Sequence, residues 1–207
     1  MLKNQHIQEI FETFEQLNPA PTTELLYTNT YTLLVAVVLS AQSTDAGVNK
    51  ATKDLFERAS TPLQMLELGQ EALTTYIKNV NYYATKAKNV IVLSEILVKD
   101  YNQEVPRTRE ELESLPGVGR KTANVVLNTA FGKPTLAVDT HVLRVSNRLG
   151  LSFSTTPQKV EEDLLACIPE PFKKNAHHWL ILHGRYCCKA KAPLCATCPI
   201  RGFCPHV

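Results

Sequence analysis

Residues 115–140, LPGVGRKTANVVLNTAFGKPTLAVDT, decide how this chain folds. Leu115-Pro-Gly-Val-Gly119 is too short and too glycine-rich to continue a helix, yet helical signals flank it on both sides. Upstream, Thr108-Arg-Glu-Glu111 is a capping box that predicts a short helix to Leu115. Downstream, residues 120–131 read as a helix closed by Gly132 and Pro134. The result is a helix–hairpin–helix at about 108–131. Its glycines let the backbone turn tightly, so that N–H groups along Gly117, Val118, Gly119 and Arg120 point outward at the start of the second helix. Together with the helix dipole they form a phosphate seat that needs no side-chain charge. Such a seat grips a nucleic-acid backbone without reading sequence. A plain αα-turn is the other reading of P-G-V-G alone. Two residues tell against it: Lys121, in the first turn behind the glycines, and Asp139, 18 residues further on. An ammonium is disfavoured at the positive end of a helix.

Moving outward, the periodicity stays helical. Ile7, Ile10, Phe11, Phe14 and Leu17 form the i, i+3, i+4, i+7 stripe of a surface helix over 3–17, ended by Asn18-Pro19-Ala20-Pro21. The Val-rich segment 31–41 is short enough for a buried strand, but no second strand-like run exists to pair with it, so a buried helix is expected. Thr44 and Asp45 cap a helix to about Arg58, and Thr61-Pro62 opens the next. Helices over 70–79, 83–101, 140–149 (capped by Asp139), 157–167 and 172–187 follow. The fold class is all-α, with around ten short helices.

The 207 residues carry a net charge of only +2, so a polyanionic partner would need a local basic patch. The longest apolar run, LLVAVVL at 33–39, is far short of the ~20 residues that cross a bilayer. The N-terminus has no apolar signal region. A cytoplasmic, nucleoid-associated monomer with no membrane contact is expected.

Six cysteines in that compartment are not read as disulfides. Five lie between 187 and 204, and Cys188-x6-Cys195-x2-Cys198-x5-Cys204 supplies four thiolates. Four such ligands suit tetrahedral zinc or a [4Fe–4S] cluster, and spacing alone leaves both open. Cys187 and Cys167 fall outside the pattern, with Cys167 expected to be buried. Lys189 and Lys191 sit in the first intercysteine loop, where they would present basic groups to phosphate. Trp179 reads as core, and His177, His178, His183 and His206 receive no functional role. Arg144 and Arg148, at i and i+4, read either as a DNA-facing pair with Lys133 nearby or as a solvated face.

LPGVGRKTANVVLNTAFG followed by AVDTHVLRVSNRLG resembles the helix–hairpin–helix/Gly-Pro-Asp superfamily of DNA glycosylases, most closely its endonuclease III family. The resemblance runs from LSAQSTD at 39–45 to the C-terminal cysteines. It implies two helical domains flanking a DNA-binding cleft. One is a helical barrel over 22–133; the other joins 1–21 to 134–207 and carries the cluster loop at 188–204. The x6-x2-x5 spacing then favours [4Fe–4S], serving to fix a tail too short to form its own core. Lys121 is implied as the nucleophile that attacks C1′ of a flipped-out nucleotide. Asp139 is implied as its base and as the stabiliser of the cationic sugar. The first-turn position disfavours the ammonium by only about 0.3–1 kcal/mol, less than one pK unit (about 1.4 kcal/mol), so desolvation in a closed cleft is expected to supply the rest. Gln42 is implied to fill the gap left by the extruded base, and Tyr82 to act as a wedge in the stack. His141, in the first turn after Asp139, reads either as a phosphate or pocket contact or as a packed surface histidine.

The chain departs from the family where Asn81 replaces a usual glycine; Asn tolerates φ > 0 better than other non-glycine residues, so the turn is expected to survive. The implied activity is bifunctional: excision of oxidised pyrimidines from damaged double-stranded DNA, then β-elimination through a lysine Schiff base. A monofunctional mismatch (adenine-type) glycosylase is an alternative. Those enzymes usually lack the lysine and carry a further C-terminal domain, and here three residues follow Cys204. A non-catalytic DNA-binding module is another alternative, but it has no use for Asp139 paired with Lys121.

Overall fold

The computed structural model describes residues 4–206, so the expected helix start at Lys3 lies outside the described residues. Among these residues there are ten α-helices and no strand. They are α1 (Asn4–Leu17), α2 (Thr30–Ser40), α3 (Asp45–Arg58), α4 (Pro62–Ile77), α5 (Tyr83–Asp100), α6 (Arg109–Glu113), α7 (Arg120–Phe131), α8 (Thr140–Arg148), α9 (Pro157–Cys167) and α10 (Lys173–Tyr186). The chain divides into two compact units, Thr23–Phe131 and Met1–Thr22 with Gly132–Val207.

The central unit is built around α2, buried from Tyr31 to Leu39 and packed on α3, α5 and α7. This is the segment whose period left helix and strand open. Its start is set by a cap the pattern did not flag: Asn29 accepts from Thr32 N while the Thr32 hydroxyl accepts from Asn29 N, each at 2.9 Å. The arrangement is a capping box with Thr in place of the usual Glu or Gln at the fourth position. Thr44 and Thr61 cap α3 and α4 through the N–H groups of Gly47 and Gln64, as expected. The helices expected at 62 and at 70–79 form one kinked element, α4. It breaks at Gly69, whose φ of 78° and ψ of 162° lie outside the helical region.

In the other unit, α1 lays Ile7, Ile10, Phe11 and Phe14 into a core with Leu136, Val142, Val145, Val160, Leu164 and Trp179. Phe11 stacks on Phe172 at 5.9 Å between ring centroids. Burying a side chain of that kind contributes about 1.5–3 kcal/mol. Trp179 belongs to this core, with Nε1–H donating to Asn18 O at 2.8 Å. Helix α10 crosses α8 at Gly184, where an added Cβ would come within 2.9 Å of His141 Cβ and 3.1 Å of Val145 Cγ2. Glycine there allows the two helices to approach.

Candidate active site

The hairpin forms as the capping signals require. Thr108 accepts from Glu111 N at 3.3 Å and opens α6. Leu115 and Val118 bury their side chains, and Val118 N closes the turn on Leu115 O at 3.1 Å. The second helix then starts at Arg120, with Ala123 N bonding Gly119 O at 2.9 Å. Arg109 Nε, reaching Asn124 Oδ1 at 3.0 Å, ties the two helices together.

The two glycines differ in their reasons. Gly117 has φ +81°, and an added Cβ would meet Asn89 Nδ2 at 2.9 Å. Gly119 has an ordinary φ and open space where a Cβ would go, so its gift is access to the N–H groups rather than conformation. Gly117→Ala is therefore expected to lower stability by about 1–2 kcal/mol through the left-handed backbone, measured by denaturant titration. Gly119→Ala should leave stability nearly unchanged and weaken DNA binding.

Lys121 lies in the first turn of α7 and is exposed. In the free protein this side chain is open to water. Asp139 is the N-cap of α8 and is half-buried. Its Oδ1 accepts from both His141 N and Val142 N, each at 2.8 Å, so the cap uses one oxygen and leaves Oδ2 for other work. His141 sits against Arg144, with Nδ1 at 3.3 Å from Nη2.

Gln42 and Tyr82 occupy two exposed turns of the central unit, and both are left-handed, with φ of 55° and 57°. The strained residue at the second turn is thus Tyr82 rather than Asn81, where the sequence expected φ > 0. Asn81 instead uses its side chain, Nδ2 donating to Gln42 O at 2.5 Å.

Cys188, Cys195, Cys198 and Cys204 line one pocket in the other unit, with Leu149, Ile200 and Pro193 among its walls. Lys189 and Lys191 are exposed on its loop. Cys187, which the spacing leaves out, lines the same pocket; its thiol, His183 and Cys198 have ligand atoms within 4.8 Å of one another. Burial and then the neighbouring thiols push Cys187 up to about 12, and burial raises Cys204 as well. Burial also pulls His183 down to about 4, keeping its imidazole neutral. Cys167 lies outside this group and is half-buried rather than buried as expected, yet burial still pushes its thiol up to about 11. Four soft donors converging on an apolar pocket fit a group that needs thiolates and brings its own positive charge.

Arg144 and Arg148 are neither a solvated face nor free for DNA. Arg144 donates to Gly184 O at 2.8 Å and Cys188 O at 3.2 Å. Arg148 donates to Lys189 O at 2.8 Å, to Ala190 O at 3.2 Å and to Cys188 Sγ at 3.4 Å. A donor aimed at sulfur suits a thiolate ligand. These partners lie about 40 residues away in sequence, so no local pattern announces them. Arg148→Ala is expected to free the loop, giving faster tryptic cleavage after Lys189 and Lys191. Unchanged cleavage would show that the clamp is idle.

The profile of the HhH-GPD superfamily base excision DNA repair proteins matches residues 35–170. The chain is 55% identical to the endonuclease III of Rickettsia conorii over 205 residues, 99% of this chain and 98% of the relative. It is 54% identical to that of Escherichia coli K12 over 198 residues, 96% and 94% of the two chains. A trapped covalent intermediate of endonuclease III with DNA superposes with a TM-score of 0.91 at 46% identity, covering 100% of this chain and 97% of that one. A thermostable thymine-DNA glycosylase, at 23% identity and a TM-score of 0.86, shares the fold across 98% and 97% of the two chains. The chain therefore belongs to the HhH-GPD superfamily of base excision DNA repair proteins, within its endonuclease III family of DNA glycosylase/abasic-site lyases.

Proposed function

We propose that this protein removes oxidised pyrimidines from damaged double-stranded DNA and cuts the strand at the resulting abasic site, with Lys121 as nucleophile and Asp139 as base. The observation that carries this reading is an exposed primary amine one residue inside the helix that follows the Gly117–Gly119 hairpin. An amine beside a phosphate seat is where a backbone-bound nucleotide would present its sugar. Asp139 takes the proton from Lys121. The Nζ lone pair then bonds C1′ as the C1′–N bond breaks, and the base leaves with the electron pair and picks up a proton. Opening of the sugar ring yields the iminium. Loss of a C2′ proton then expels the 3′ phosphate. The negative Asp139 also offsets the charge that builds on the sugar.

Gly117, Val118, Gly119 and Arg120 seat the phosphate, while Gln42 and Tyr82 occupy the space vacated by the flipped nucleotide. Lys189, Lys191 and His141 add contacts to the backbone. Cys188, Cys195, Cys198 and Cys204 hold a [4Fe–4S] cluster that fixes the C-terminal loop and takes no part in the bond changes. The protein acts as a monomer in the cytoplasm. The domain limits follow the same reading, with a barrel over 22–133 and a cluster domain formed by 1–21 and 134–207.

Borohydride should lock the wild-type protein onto duplexes bearing an oxidised pyrimidine or an abasic site, with no divalent metal added. Absence of a cross-link, or strand cleavage without β-elimination ends, overturns the reading. Broad visible absorption lost on oxidation supports iron–sulfur, and colourless protein holding one equivalent of zinc overturns it.

A further inference from the structure

Helix α2 leaves the core at its C-terminal end, where Leu39 is buried and Ala41 exposed, and the last carbonyls of a helix have no intrahelical donors. Leu39 O and Ala41 O are instead served by one side chain from α5, 47 and 45 residues later. Lys86 is 6% exposed, and its Nζ donates to Leu39 O at 2.8 Å, Ala41 O at 2.6 Å and Ser43 Oγ at 3.3 Å. All three acceptors are neutral. Burial holds the ammonium below the ordinary lysine range, while a helix C-terminus favours the charged form.

The third bond goes beyond capping. Ser43 Oγ also accepts from Asn81 N at 3.2 Å, and Asn81 Nδ2 donates to Gln42 O at 2.5 Å. Lys86, Ser43 and Asn81 thus lace the turn carrying Gln42 to the turn carrying Tyr82. Both turn residues are non-glycine and left-handed, a conformation that persists only where the surroundings impose it. Tyr82 is itself 67% exposed and immediately precedes α5, so nothing in its own side chain holds it.

We infer that Lys86 is a positioning residue which, through Ser43 and Asn81, sets the spacing of the two turns that enter the DNA stack, so that Gln42 and Tyr82 act as one rigid fork. The inference rests on the roles proposed above for those two residues. A fork of fixed width is required only when a base must be driven out of a duplex. A single-stranded abasic site needs no such opening.

Lys86→Met and Asn81→Ala in the full chain test this on two probes: a duplex with one oxidised pyrimidine, and a single-stranded abasic oligonucleotide. Both variants should lose about ten- to a hundredfold in single-turnover excision from the duplex. Both should cleave the single strand at the wild-type rate, because Lys121 and Asp139 are untouched. Duplex excision at the wild-type rate in Asn81→Ala, or a parallel loss on both substrates, overturns the inference. Should Lys86→Met fail to fold, Ser43→Ala still reads the link, since it removes the Oγ that Lys86 Nζ and Asn81 N share; wild-type duplex excision in that variant overturns the inference as well. Wild-type protein inactive on both probes would instead count against the proposed function.

Discussion

Lys121→Ala is expected to lose borohydride cross-linking to abasic DNA entirely and to slow β-elimination by roughly 10⁴–10⁶-fold, the range seen when a covalent nucleophile is removed. The loss is chemical. Lys121 is exposed, so truncation should change stability by no more than about 0.5 kcal/mol. The phosphate seat proposed for the hairpin is built from backbone N–H groups, so the variant should still bind DNA. Lys121→Arg sharpens the test: it keeps the positive charge and much of the reach, but a guanidinium does not give up its proton at neutral pH. If Lys121→Arg retains cleavage, the side chain is a phosphate contact and not a nucleophile.

Asp139 caps α8, and one substitution can separate that job from the role of base proposed for it. Asp139→Asn keeps an oxygen able to accept from His141 N and Val142 N, so α8 should remain capped. It loses the ionised carboxylate, and single-turnover excision should fall by about 10²–10⁴-fold, the usual worth of a positioned base. The lost interaction with the helix dipole costs only about 0.3–1 kcal/mol. Asp139→Ala should show the same catalytic loss together with about 0.5–2 kcal/mol of stability from the missing cap. Full activity in the folded Asn variant would reduce Asp139 to a cap alone. Melting curves and excision rates measured on the same preparations distinguish these outcomes.

The residues that sequence reading assigned and those that it missed differ in a physical way. The hairpin, the start of α8 and the caps of α3 and α4 were readable because donor and acceptor lie within three residues of each other. The start of α2 escaped because Thr32 stands where the usual signature has Glu or Gln, although the bonds are equally local. At the turn before α5 the sequence reading placed φ > 0 at the wrong residue. Asn81 tolerates φ > 0 in principle, but its amide is engaged on Gln42 O, and Tyr82 takes the left-handed conformation. Arg144 and Arg148 looked like a basic stripe at helical spacing. Both instead point their donors at carbonyls of the α10 end and the cysteine loop.

By itself the sequence determined that the chain is a string of short helices with a glycine hairpin, an amine behind it and four thiols at fixed spacing. Those features depend on proline, glycine and capping side chains acting over a few residues. The helix at 31–41 was expected by elimination and is found as α2, whereas only the tertiary structure decided that Lys86 serves α2 and that Arg148 serves Cys188 Sγ. The reason is common to the last two. Burial strips water from carbonyls and sulfur, and the donors that replace it come from wherever the chain folds back, 40 to 47 residues away. At 31–41 the period is silent, because a segment apolar on every side has none of its own, and it was the lack of a second strand-like run that pointed to a helix.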